Sequence, residues 1–170
     1  LPDREFVTEP SHTLFSADDL PFQLNQLPTS FTQFRKQVED LVLPRPMSSP
    51  QQLPPTPGPI AVDEIPQPVF QPSKFTGGET AALKHINDYF SKDLPASYKT
   101  VRNELDGWTN STKFSPWLAL GCLSVRHLAS RLKNYEQTKV CNDSTYWIYF
   151  ELLWREYFQW YAHRYLFFFF

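Results

Sequence analysis

Apolar side chains recur at helical spacing through most of the second half of this chain, and once before it. Phe31, Phe34, Val38 and Leu41 predict a short amphipathic helix over 31–43, with Ser30 as its N-cap. Thr76 and Glu79 have capping-box spacing and open a second helix to about Ser91, whose buried side is Ala82, Leu83, Ile86, Tyr89 and Phe90. Ser115 followed by Pro116 reads as a cap and a first-turn proline, starting a short helix to Gly121. Ser124 caps another through Lys133. Asn142 or Asp143 caps the last and longest, which reaches at least Arg164. Between these lie less regular stretches. Residues 1–22 are mostly irregular, with a brief strand possible at 13–15 and an acidic turn at Asp18 and Asp19, and residues 94–110 read as loop and turn. The layout is all-α, with no βαβ rhythm and no internal repeat.

Proline divides the pattern in two. Ten of the sixteen prolines fall between Pro44 and Pro72. Proline fixes φ and removes a donor, so this segment cannot sustain a helix or a central strand. It reads as an extended linker of polyproline II character, or as a ligand for a domain that binds such segments.

Charge follows the same division. Residues 1–80 carry 5 Lys/Arg against 10 Asp/Glu, whereas residues 81–170 carry 11 against 8. The ring-rich half is therefore the basic half, which permits a polyanionic partner without the clustered stripe that would demand one. No run approaches the roughly 20 apolar residues a spanning helix needs. The start, LPDREFVTEP, has neither the charged region nor the apolar core of a signal peptide, and without an initiator Met it is expected to lie partway along a longer chain. Cys122 and Cys141 form no metal or disulfide framework and read as free buried thiols.

Two stretches carry polar groups from which chemistry could be built. In Ser111-Thr112-Lys113-Phe114-Ser115-Pro116, three hydroxyls and an ammonium lead into a helix N-terminus. Unpaired amides and the positive end of the helix dipole favour anions there. Tyr98 and Arg102 lie upstream in a segment able to fold over the same spot. A phosphate cradle and an ordinary helix start both satisfy this spacing.

The other stretch is Asn142–Tyr165, in which ten of twenty-four residues are Trp, Tyr or Phe. A helix places Trp147, Phe150, Glu151, Trp154, Arg155 and Phe158 on one face. Glu151 and Arg155, four apart, are expected to pair within that wall. An exposed pair would contribute only about 0.3–0.5 kcal/mol, but one walled by indoles is partly desolvated. An indole-lined concavity with one acid and one guanidinium suits a flat aromatic ligand or an unstacked base. A core helix packed on two neighbours satisfies the same spacing. His85, His127 and His163 lack ligand spacing and read as structural or surface residues.

Six phrases give these elements a context: DDLPF (18–22), FTQFRKQVE (31–39), FTGGETAAL (75–83), YKTVRNELDG (98–107), STKFSPWLALGCLSVR (111–126) and NDSTYWIYFELLWREYF (142–158). In this order they resemble the photolyase/cryptochrome family, most closely the DASH-type cryptochromes. The resemblance implies that 1–22 is the end of an α/β antenna domain and 23–72 an interdomain connector. Residues 73–170 would then be the N-terminal half of a helical FAD-binding domain. It further implies that Tyr98, Ser111, Thr112, Lys113, Phe114 and Ser115 contact the pyrophosphate and ribityl parts of FAD, with Glu151 and Arg155 beside the flavin cavity. Glu151 and Trp154 would be the catalytic pair, facing the pocket for a flipped-out pyrimidine dimer.

The implied chemistry is that of a deoxyribodipyrimidine photo-lyase, a blue-light-driven electron donation from reduced flavin to the lesion, or else blue-light reception by the same flavoprotein. Implied partners are damaged, single-stranded DNA and, in the antenna domain, methenyltetrahydrofolate. The family allows chloroplast, mitochondrion, nucleus or cytoplasm. Against the family pattern, most of the antenna domain and the second helical half are missing. The closing Leu-Phe-Phe-Phe-Phe replaces the usual glycine and further helix, so a fragment is expected. Its aromatic wall would face water, and alone it would hold FAD weakly or serve only as a non-catalytic remnant or interaction module.

Overall fold

The computed structural model describes residues 11–48, 50–52, 55 and 74–165. Most of the proline-rich segment and the closing Leu-Phe-Phe-Phe-Phe lie outside them. Among the described residues the fold is helical, without strands. The helices are α1 (Phe31–Val38), α2 (Glu79–Ser91), α3 (Tyr98–Val101), α4 (Ser115–Ala119), α5 (Val125–Thr138) and α6 (Asp143–Tyr165). Short 3-10 turns at Ala17–Asp19 and Leu24–Gln26 precede α1, and others at Leu94–Ser97 and Trp108–Asn110 flank α3.

The caps explain where the helices start. Ser30 Oγ accepts from the Gln33 amide at 3.4 Å, and Ser124 Oγ from His127 at 3.3 Å, as their spacing predicts. Asn142 caps α6, its Oδ1 accepting from the amides of Ser144 (2.9 Å) and Thr145 (3.1 Å). Two expected caps are not formed. Helix α2 starts after Gly78, whose φ of +88° lies where a Cβ is disfavoured, and Thr76 instead accepts from Trp117 Nε1 at 2.8 Å through its carbonyl. Ser115 is the first helical residue of α4, and Phe114 holds the cap position. Helix α5 runs past Lys133 because Tyr135 continues its buried stripe. Helix α1 stops at Val38, and Leu41 and Leu43 stay half-buried beyond it. Residues 94–101, expected as loop, form helical turns over the buried Pro95 and Tyr98.

One core joins the two sides of the proline-rich segment. Leu14, Phe15, Phe34 and Val38 are fully buried together with Ala82, Ile86, Leu128, Leu132, Ile148 and Leu153. Burying each large side chain contributes about 1.5–3 kcal/mol, so α1 and the segment before it are held by packing rather than by helix propensity. Helix α6 is the axis, roughly 34 Å long. Its inward stripe is Ile148, Leu152, Glu156 and Trp160, with Thr145, Leu153 and Tyr157 beside it. A carboxylate therefore occupies a core position. Residues 13–15 form no strand; their backbone is tied to that carboxylate instead. Cys122 is half-buried and Cys141 exposed, so the second thiol is not in the core as expected. No described helix is long and apolar enough to cross a membrane.

Candidate functional site

The expected Glu151–Arg155 pair does not form. Glu151 is instead bound by Arg102, which comes from the end of α3. The Arg102 guanidinium lies 4.7 Å from the centre of the Trp147 ring and 5.9 Å from that of Tyr98. The Glu151 side chain is 37% exposed and that of Arg102 25%, which leaves carboxylate surface open to a ligand. Tyr98 is buried, and its hydroxyl pKa is raised first by that burial and then by the Glu151 charge. Lys99, next on α3, pairs with Asp143 at 2.8 Å and reaches toward Trp147. The result is a half-open group in which Tyr98, Arg102, Trp147 and Glu151 meet.

Arg155 points elsewhere. Its Nη1 donates to the carbonyl of His12 at 2.5 Å. Both residues line a cavity of about 1330 Å³ with Ser115, Ser124, Arg126 and Gln159. The buried acid of this region is the next residue, Glu156. It is 0% exposed and accepts from the amides of Leu14 (2.7 Å) and Phe15 (3.2 Å) and from Trp160 Nε1 (2.7 Å). Burial raises its pKa, opposed by those three donors and by Arg155. The sequence reading did not single out Glu156. Its signal was the regular spacing of Ile148, Leu152, Glu156 and Trp160, which sets an acid in an apolar stripe.

Trp154 is covered on at least one face. Phe31 of α1 stacks on it, with centroids 3.7 Å apart and planes at 14°. Phe158 lies near-parallel at 5.4 Å, and Phe150 meets Phe31 edge-on. The aromatic wall is therefore closed where α1 crosses it. Farther along, Phe158 (58%) and Tyr161 (43%) are exposed.

The hydroxyl-rich loop is held from behind. His85 Nε2 lies 2.8 Å from the Thr112 carbonyl, and its ring stacks on Trp117 and meets Phe114 edge-on. Lys113 has a φ of +55°, uncommon for a side-chain-bearing residue, and Phe114 follows in the right-handed region. Such a pair turns successive amides toward one concavity, a backbone nest suited to anions. Among the described residues, the amides of Lys113, Phe114 and Ser115 donate no hydrogen bond. Tyr89 bridges this loop and the α3–α6 group, lying edge-on to Phe114 at 5.2 Å and close enough to Tyr98 to raise its own pKa further, after burial.

Comparison with known proteins places the chain in a family. No family model matches the chain. A Vibrio parahaemolyticus protein named Cryptochrome DASH is 51% identical over 165 residues, covering 96% of this chain. A rice protein named Cryptochrome DASH, chloroplastic/mitochondrial, is 44% identical over 90% of it. The crystal structure of a Synechocystis cryptochrome superposes with a TM-score of 0.82 at 44% identity, covering 91% of this chain. The chain belongs to the photolyase/cryptochrome family, with the DASH-type cryptochromes. It spans 37% of the Vibrio protein, 29% of the rice protein and 35% of the Synechocystis chain.

Set on this DASH-type fold, the expected site residues divide into three groups, with Trp154 apart from them. Tyr98 and Glu151 meet at Arg102. Ser111, Thr112, Lys113 and Phe114 form the loop held by His85. Ser115 and Arg155 share the cavity. Trp154 sits one turn past Glu151, against Phe31. The amides of the Lys113–Ser115 turn, which donate no hydrogen bond among the described residues, suit an anionic group such as a pyrophosphate.

Proposed function

We propose that the protein carrying this sequence is a flavin-dependent photolyase that repairs cyclobutane pyrimidine dimers in single-stranded DNA, and that this chain builds one wall of its site. The observation that carries the reading is the Tyr98–Arg102–Trp147–Glu151 group. A carboxylate held by a guanidinium over an indole, and still open on one side, is equipped to bind the polar edge of an extruded base. Lys113 and the amides of Lys113, Phe114 and Ser115 would hold the FAD pyrophosphate, with Tyr98 beside the ribityl chain and Arg155 at the cavity. Bound flavin would supply the light-driven electron. Glu151 would accept hydrogen bonds from the pyrimidine ring, Arg102 would hold the Glu151 carboxylate in orientation, and Trp147 would exclude water beneath both.

The same proposal takes residues 1–22 as the end of an antenna domain, 23–72 as a connector and 73–170 as the first helical half of the flavin domain. Methenyltetrahydrofolate would belong to the antenna domain. A chloroplast or mitochondrial location is the one named for the rice relative.

A second reading is favoured by one observation. Phe31 covers a face of Trp154, and Phe158 and Tyr161 are exposed on the same helix. A chain with this arrangement would act as an interaction module and hold no flavin on its own. Repair of a dimer-bearing single strand by the full-length protein, measured beside its Glu151→Gln variant, tests the first reading. Repair lost in the variant supports the enzyme, and no repair by either supports a photoreceptor. Absence of flavin from the purified full-length protein supports the module.

A further inference from the structure

Four consecutive residues before α1 have their backbone groups taken up by side chains. The carbonyl of His12 accepts from Arg155 Nη1 at 2.5 Å. The carbonyls of Thr13 (3.2 Å) and Leu14 (3.0 Å) share Arg126 Nε, and that of Phe15 accepts from Thr13 Oγ1 at 2.7 Å. The amides of Leu14 and Phe15 donate to Glu156. Thr13, Leu14 and Phe15 are themselves buried, at 1% exposure or less. A non-regular segment with four carbonyls and two amides bound in this way is held by tertiary hydrogen bonds where a strand would be held by its ladder. It forms a strap across α5 and α6.

The strap ends on the cavity. Arg155 makes no salt bridge among the described residues, and its described hydrogen bond is the one to the His12 carbonyl. That carbonyl can hold the guanidinium in one direction only if the residues after it stay in place. Glu156 and Arg126 keep them there. We infer that Glu156 and Arg126 are positioning residues, which aim the Arg155 guanidinium into the cavity through the His12–Phe15 strap. The assignment of a flavin to that cavity rests on the functional reading above. The aiming of Arg155 does not.

Phenylglyoxal, which reacts with accessible guanidinium groups, reads this directly in the full-length protein when labelling is mapped by mass spectrometry. Glu156→Gln keeps the shape but replaces one acceptor oxygen with an amide NH2 donor, so one strap amide loses its partner. We expect Arg155 to label about tenfold faster in that variant, as for loss of one hydrogen bond to a charged group. Arg164, whose Nη1 donates to the Leu27 carbonyl away from the strap, is the control and should label at its wild-type rate. Arg126→Met, which releases two carbonyls without placing a new polar group in the core, should act in the same direction. Arg155 labelling at the wild-type rate in both variants overturns the inference, as does an equal acceleration at Arg164, which would mean general loosening. If Glu156→Gln fails to fold, Arg126→Met decides. Flavin content measured on the same samples bears on the cofactor alone: a wild-type protein without flavin sinks that reading, while the labelling still decides the strap.

Discussion

Glu151 and Glu156 are five residues apart on one helix and have opposite circumstances. Glu151 is partly exposed and held by a single guanidinium that rests on an indole. Glu156 is sealed in the core and held by two main-chain amides and an indole N–H. Removing a carboxylate from water is costly, and the cost falls only as donors replace the lost solvent. Glu156 has three such donors pointing inward and no route to a ligand. Glu151 has one partner and open surface. An acid built for anchoring and an acid available for binding are thus distinguished by the count of fixed donors and by what remains uncovered.

The comparison breaks first at Glu156. Glu156→Ala leaves three buried donors without an acceptor, each worth about 1–3 kcal/mol, so a loss of about 4 kcal/mol is expected in denaturant unfolding. A loss under about 1 kcal/mol would mean that the strap is not held by this side chain. Next comes the cover over Trp154. Phe31 is buried, and Phe31→Ala should cost about 3 kcal/mol through the cavity it leaves. Exposure of the indole should also shift tryptophan emission to the red, and unchanged emission would argue against the stack.

A pH series sharpens the contrast. The Glu156 carboxyl has its pKa raised in the folded protein, chiefly by burial. The stability linked to its proton is fully present below the unfolded value, about 4.3, and is lost as pH rises through the folded value. Wild-type stability should therefore fall relative to Glu156→Gln as pH rises from roughly 4 toward neutrality. Parallel curves for the two proteins would contradict the raised pKa. The smallest effect belongs to the other acid. Glu151→Gln breaks a part-exposed pair and should change stability by less than about 1 kcal/mol.

Much of this was legible in the sequence, and the exceptions share a cause. Local chemistry predicted the caps at Ser30 and Ser124 correctly and narrowed that of α6 to Asn142 or Asp143, because a cap is settled within three residues. The apolar stripes placed the helical faces, and the six ordered phrases carried the family. The partners of Glu151 and Arg155 were misread because helical spacing makes an i,i+4 pair available without deciding it. Arg102 outcompeted Arg155 from 49 positions away, and a carbonyl at His12 drew Arg155 to the other side. Tertiary pairs of that kind leave no periodic mark. The cap expected at Ser115 failed for a related reason: Lys113 takes a left-handed turn, the cap position falls on Phe114 and Ser115 is already helical, a backbone choice invisible in residue types.

The central claim is that Glu151 serves a bound base whereas Glu156 serves the fold. Its most direct test is light-dependent repair of a thymine dimer in a single-stranded oligonucleotide by the full-length protein, comparing wild type with Glu151→Gln at matched flavin content and unfolding midpoint. The account predicts a loss of repair of at least about tenfold in the variant, the equivalent of one charge-assisted hydrogen bond to the lesion. Repair at the wild-type rate by a folded, flavin-loaded Glu151→Gln protein would contradict it.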